Sequence, residues 1–207
     1  MTTTISRLYD NYSDAEQAVR RLESAGVPHS DISIVANNSD DWYSNKGKVD
    51  RDRDGTDDRA EGAATGAGIG AGLGGAAGLL AGLGLLAIPG LGPVVAAGWL
   101  VSTATGAAAA AAAGGIIGAL TQAGVAEEDA HRYAEGIRRG GTLVSARVPD
   151  GDKARLEPML AQSSVDLNQR SAAWQQSGWS RFDAGSPPLA PDEIRREREL
   201  YRTGSGQ

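Results

Sequence analysis

Asp50, Asp52, Asp54, Thr56 and Glu61 are the residues whose types and spacing come closest to a chemical site; with Gly55 they spell D-x-D-x-D-G-x5-E. That is the pattern of an EF-hand calcium loop. Hard carboxylate oxygens stand at its first, third, fifth and twelfth positions, Thr56 offers a backbone carbonyl, and glycine takes the sharp turn. Calcium is therefore the only cofactor the sequence offers. The same run also reads as a solvated charge stretch that keeps a linker extended. Asp57 stands where an aliphatic residue normally pairs one loop with a second, residues 44–49 carry no helical pattern, and no second loop is present.

Other chemistry is poorly supported. Gly70, Gly72 and Gly75 spell G-x-G-x-x-G, but a dinucleotide site needs a strand before it and an acid about twenty residues on. His29 and His131 are far apart and read as surface residues, and no Ser/His/Asp set, nucleophile elbow or Walker loop occurs. With no cysteine, thiolate metal sites and nucleophiles are excluded. A net charge of −6 argues against a nucleic-acid partner. No small-molecule substrate is indicated, and an enzyme is the reading these residues support least. The amino terminus has neither a basic nor an apolar leader region, so no cleaved signal peptide is expected.

The elements that surround these residues fall into two charged segments. Residues 4–9 carry β-formers. Ser13 and Glu16 make a capping box, and Ala15, Ala18, Val19, Leu22 and Ala25 follow at helical spacing. Gly26 suits the left-handed residue after a helix, with Pro28 just beyond, and Ile32, Ile34 and Val35 suggest a second strand. Later, residues 127–139 read as a helix with an acidic start and a basic end. A strand is expected at 142–148, a weaker helix at 152–161 despite Pro158, and a short last strand at 165–167. Apolar offsets from Asp14 (Ala18, Leu22, Val27) recur from Asp152 (Leu156, Leu160, Val165). This faint repeat predicts an α+β fold: a ferredoxin-like βαβ-βαβ sandwich, two helices on one face of four strands.

Between Glu61 and Glu127 lie 65 residues without an Asp, Glu, Lys, Arg or His. Within them Gly62, Gly66, Gly70, Gly74, Gly78 and Gly82 recur at intervals of four. Beyond Ile88-Pro89-Gly90-Leu91-Gly92-Pro93 the interval resumes with Gly98, Ser102, Gly106, Ala110, Gly114 and Gly118. Positions four apart share a helix face, so the sequence predicts an inserted antiparallel helical hairpin, turned at the prolines and packed through bare glycine stripes. Residues 66–88 contain nine glycines, which disfavour an isolated helix by roughly 9 kcal/mol relative to alanine. Either a bilayer, where unsatisfied backbone groups are far costlier, or burial in an oligomer must hold such helices. Arms of 23 and 27 residues, 66–88 and 94–120, exceed the roughly 20 needed to cross hydrocarbon.

The run from Ile88 to Leu100, the segment Gly114-Gly-Ile-Ile-Gly-Ala-Leu, and Ala130-His-Arg-Tyr-Ala-Glu-Gly-Ile-Arg-Arg-Gly-Gly-Thr-Leu-Val resemble bacterial general stress or low-temperature-induced proteins. The opening strand–Asp–helix–Gly-Val unit resembles the amino-terminal domain of heat-induced stress proteins. That resemblance spans about residues 3–150, implies stress-linked expression and membrane association, and supplies no reaction.

The expected organisation is residues 1–36 as the first βαβ half, 37–61 as acidic linker, 62–126 as glycine-zipper hairpin, 127–170 as a helix plus the second half, and 171–207 as a flexible tail with a short charged helix. The expected function is a non-enzymatic general stress protein at the bacterial inner membrane. Its α/β domain is cytoplasmic, and its hairpin contacts membrane lipid and self-associates. The alternatives are a soluble homo-oligomer with a shared zipper core and a calcium-responsive binding module. Arg138 and Arg139 contact lipid phosphates or are simply solvated. Trp174, Trp179 and Phe182 anchor the tail at a bilayer interface or cap the sandwich core.

Overall fold

The computed structural model describes residues 1–39, 43, 83–101 and 115–204. Five strands form one antiparallel sheet: β1 (Thr2–Tyr9), β2 (Ile32–Asn37), β3 (Gly84–Ile88), β4 (Gly92–Gly98) and β5 (Thr142–Pro149), in the order β1-β5-β2-β4-β3. Side chains alternate across a strand, and here both faces are apolar. Ile5, Tyr9, Ile32, Ile34, Val144, Ala146 and Val148 point one way, and Leu8, Val35, Val94, Ala96 and Leu143 the other. Each face therefore needs its own cover.

Helix α1 (Tyr12–Ser24) and helix α4 (Lys153–Ala161) cover the first face. The stripe Ala15, Ala18, Val19 and Leu22 is fully buried there, and each large aliphatic side chain so buried contributes about 1.5–3 kcal/mol. The cap of α1 is Asn11 rather than Ser13: Asn11 Oδ1 accepts from the Asp14 amide at 2.9 Å and from the Ser13 hydroxyl at 2.7 Å. Gly26 ends the helix at φ +92°, as its position requires. The second face is covered by α2 (Gly115–Gln122) and α3 (Glu127–Arg138), with Phe182 of the carboxy-terminal segment.

The architecture is thus α+β in three layers, and it departs from the expected sandwich in two ways. β5 lies between β1 and β2, but the expected strand at 165–167 does not form. One bond, Val165 N–H to the Leu8 carbonyl at 2.8 Å, marks its place, and α5 (Leu167–Gln176) begins there instead. On the other side β4 and β3 extend the sheet past β2.

That extension corrects the helical hairpin. The turn falls at Pro89–Leu91 as expected, with Gly90 at φ +76° and Gly92 at φ +83°, but the chain on both sides of it is strand. The cause is local: Leu85-Leu86-Ala87-Ile88 and Val94-Val95 are apolar and β-branched runs, and the free edge of β2 gives them backbone partners. Leu91, Val94 and Val95 are completely buried, so the most hydrophobic part of the uncharged stretch is domain core. Gly115, at φ +43°, interrupts any single helix over 94–120. Among the described residues, no helix is long and apolar enough to cross a membrane.

The tail is ordered too. Trp174 in α5, Phe182, and Ile194 in α6 (Pro191–Gly204) are buried, which selects core packing over an interfacial anchor for Trp174 and Phe182.

Candidate functional site

The segment Glu135-Gly136-Ile137-Arg138-Arg139-Gly140-Gly141 builds the densest polar arrangement. Gly136 faces β1 so closely that a Cβ there would overlap Leu8 Cδ2 and lie 3.0 Å from Cδ1. Gly140, at φ +101°, ends α3 where a side chain would strike Ile194 and Arg198 of α6. Arg198 instead donates through Nε and a terminal nitrogen to the Gly140 carbonyl at 3.0 and 2.9 Å. Glu135 is 1% exposed and accepts from Arg138 at 3.2 Å and Arg139 at 2.6 Å. Arg139 also reaches Glu197 of α6 at 2.7 Å and stacks 5.1 Å over the Trp174 ring. Burial pulls the Arg139 guanidinium down, but its bonds to Glu197 and Glu135 prevail and hold it above its ordinary value. Arg170 of α5 grips both Asp10 oxygens at 2.9 and 3.1 Å and lies over Tyr201 of α6.

These groups leave a void of only about 10 Å³, the room of one water. The arrangement is a clasp that binds the carboxy-terminal helices to the sheet, and it is no ligand site. Arg138 and Arg139 are thereby both bonded to Glu135 and keep only 17% and 19% of their side-chain surface exposed.

A more open groove of about 500 Å³ lies at the other end, between Val27, Pro28, Arg147, Pro149, Arg155 and Leu156. Arg147 pairs with Asp31 at 2.9 Å and stacks 5.1 Å from Trp99, while Arg155 meets Asp152 at 3.1 Å. Exposed pairs of this kind contribute about 0–1 kcal/mol. The groove offers guanidiniums and carboxylates in balance.

Three serine hydroxyls buried in the sheet are held in hydrogen bonds. Ser6 and Ser145 bond each other at 2.8 Å across the sheet. Ser33 donates to the Ala97 carbonyl and accepts from the Leu100 amide, both at 2.9 Å. His131 Nε2 meets Arg181 at 3.0 Å; since arginine can only donate, the imidazole accepts there. Among the described residues, no group of three His, Asp or Glu could hold a metal.

Of the residues singled out from sequence, Asp50, Asp52, Asp54, Thr56 and Glu61 lie outside the described residues, as do Gly62, Gly66, Gly70, Gly74, Gly78, Gly82, Ser102, Gly106, Ala110 and Gly114. Gly98 is no helix-packing residue. It ends β4 at φ +92°, where a Cβ would overlap the Ile32 carbonyl oxygen and sit 2.8 Å from Ser33 Cα. Gly118 is in α2, with nothing within 4 Å of where its Cβ would be. The clasp was not anticipated, although its glycines and arginines are the residues that carried the resemblance. Residues 4–84 match the family model for the heat induced stress protein YflT domain. Neither curated proteins nor solved structures gave a match to the chain.

Proposed function

We propose that this chain, with its heat-induced stress protein domain over residues 4–84, serves the general stress response without catalysis, as a self-associating protein. The observation that carries this reading is the fate of the uncharged stretch. Its hydrophobic centre, residues 83–101, is folded into the sheet, and the remaining runs 62–82 and 102–114 are 21 and 13 residues long. The second is too short for a bilayer span of about 20 residues. Both are dominated by glycine and alanine, which permit close backbone contact and offer little apolar surface to lipid. Runs of this composition suit packing against copies of themselves. A groove with guanidiniums and carboxylates in balance is consistent with a role in association.

Light scattering on the purified full chain, with and without replacement of residues 62–82 by a Gly/Ser linker of equal length, tests the reading. The intact chain is expected to form a discrete assembly and the replaced one a smaller one. A 21.3 kDa monomer at every concentration refutes self-association. Contact of the same runs with a lipid surface is the second reading, favoured by the lack of any charge over residues 62–126. Co-flotation with vesicles of the intact chain, lost on replacement, would select it.

A further inference from the structure

The two edges of the sheet are treated differently. At β1 the outward carbonyls of its second half are occupied: Ser6 O accepts from the Tyr133 hydroxyl at 2.7 Å and from Arg7 at 2.8 Å, and Leu8 O accepts from Val165. At β3 they are open. The Asn38 amide donates to the Pro93 carbonyl, so Pro93, Val95 and Ala97 turn their backbone groups toward β2, and Gly92, Val94 and Ala96 turn theirs toward β3. Their register partners Ile88, Leu86 and Gly84 complete that ladder. Leu85 and Ala87 therefore point N–H and C=O away from the sheet, and these groups have no hydrogen-bond partner among the described residues.

Edge strands are normally guarded by charge, proline or a bulge. Gly84-Leu85-Leu86-Ala87-Ile88 has none of these, and Leu85 is 38% exposed. Four backbone groups in a row on a bare strand specify another strand as the occupant.

We propose that β3 pairs antiparallel with β3 of a second copy, on a two-fold axis through Leu86. The register is self-complementary. Centred on Leu86, each Leu85 faces the other copy's Ala87, so the two outward residues of each copy exchange four hydrogen bonds. Leu86 then meets its own counterpart in the close, non-hydrogen-bonded position, on the apolar face that also carries Ile88. A chain of net charge −6 repels its copies over most of its surface, and the uncharged stretch that holds β3 removes that penalty. Pro89 ends the pairing after one short strand, so the sheet joins two copies and goes no further. The inference shares with the reading above the premise that the chain assembles with itself, and it adds a contact independent of residues 62–82 and 102–114.

The chain has no cysteine, which allows a clean test in the full-length protein. Leu86→Cys is expected to cross-link into a disulfide dimer under mild oxidation, while Leu85→Cys, which is not opposite itself, is not. Ala87→Pro removes one outward N–H per copy and none from the β3–β4 ladder, and is expected to weaken dimers at least about tenfold in sedimentation. In the wild type, the Leu85 and Ala87 amides are expected to be protected from exchange in the dimer and unprotected on dilution to monomer. Equal cross-linking at both positions, or a folded Ala87→Pro variant that dimerises normally, overturns the pairing. If assembly survives that variant yet is lost on replacing residues 62–82, the pairing fails and the broader reading stands. A wild type that is monomeric throughout sinks both. Protection of the two amides in a monomer assigns the edge to a strand of the same chain and also overturns the proposal.

Discussion

Replacing Gly98 and Gly118 separately by alanine sets the sheet against the glycine stripe read from sequence. A helix-packing stripe treats the two alike and tolerates alanine well, since Ala110 itself occupies such a position. In the fold they differ. Gly98 sits at φ +92°, where an L-residue costs about 1–2 kcal/mol. Its added Cβ would also overlap the Ile32 carbonyl and come within 2.8 Å of Ser33 Cα. Those are backbone atoms of β2 that cannot step aside, and overpacking adds about 1–3 kcal/mol. The entropy that alanine removes from the unfolded chain returns about 0.4–1 kcal/mol. The expected net loss is roughly 2–4 kcal/mol, a large share of a typical total of about 5–15. Gly118 lies exposed inside α2 with open space around it, so alanine is expected to stabilise by about 0.5–1 kcal/mol. Urea unfolding followed by tryptophan fluorescence, with Trp99 next to the first site, measures both. If the two variants fall within about 0.5 kcal/mol of each other, the assignment of Gly98 to a strand end is wrong.

The clasp and the buried phenols give further expectations. Arg139→Leu leaves Glu135 buried with only Arg138, so a loss of about 3 kcal/mol is expected in urea, and limited proteolysis should cut between Trp179 and Pro191 first. Tyr133→Phe removes a buried hydrogen bond to the Ser6 carbonyl and should cost about 1 kcal/mol at neutral pH. Burial lifts the phenols of Tyr9, Tyr12 and Tyr133 above their ordinary value of 10.0. The folded chain therefore keeps those protons longer than the unfolded one, and their contribution is complete below about pH 10 and is lost as pH rises through the raised values. Ultraviolet titration should show these phenolates appearing late and shifting back in denaturant, and ionisation at the ordinary value in the native protein would refute their burial. Burial likewise lifts the Glu23 carboxyl, whose two oxygens lack partners. Glu23→Gln is therefore expected to raise the melting temperature at pH 7, with the gain shrinking toward pH 4 where the native carboxyl takes up its proton.

What could be read in advance follows from where each signal lies. Helix α1 was legible because its apolar stripe and Gly26 are local, while its cap was misplaced by two residues because Ser13 also fits the motif. α3 and β5 were legible for the same reason. β3 and β4 were not. Glycines four apart among Leu, Ile and Val fit a helical period, and no pattern within those residues reveals that β2 offers an open edge. Of the nine glycines behind the roughly 9 kcal/mol penalty, only Gly84 lies among the described residues, where it opens β3 in the sheet. The clasp was hidden because Glu135 and Arg139, four apart, look like an ordinary solvated helix pair until β1, α5 and α6 close over them. The ordered tail was hidden because Trp174, Phe182 and Ile194 follow no period and are placed by contacts more than thirty residues away in sequence.

The strand order carries a consequence for how the molecule is made. β1 and β2 are synthesised first but do not pair with each other; β2 can meet β4 once residues 92–98 are made, while β1 waits for β5, which begins only at Thr142. A nascent chain emerging from the ribosome therefore carries β1 without its sheet partner for more than a hundred residues of translation before β5 arrives. Contacts so distant in sequence make for slow closure. The sheet cannot close until the last third of the chain is translated.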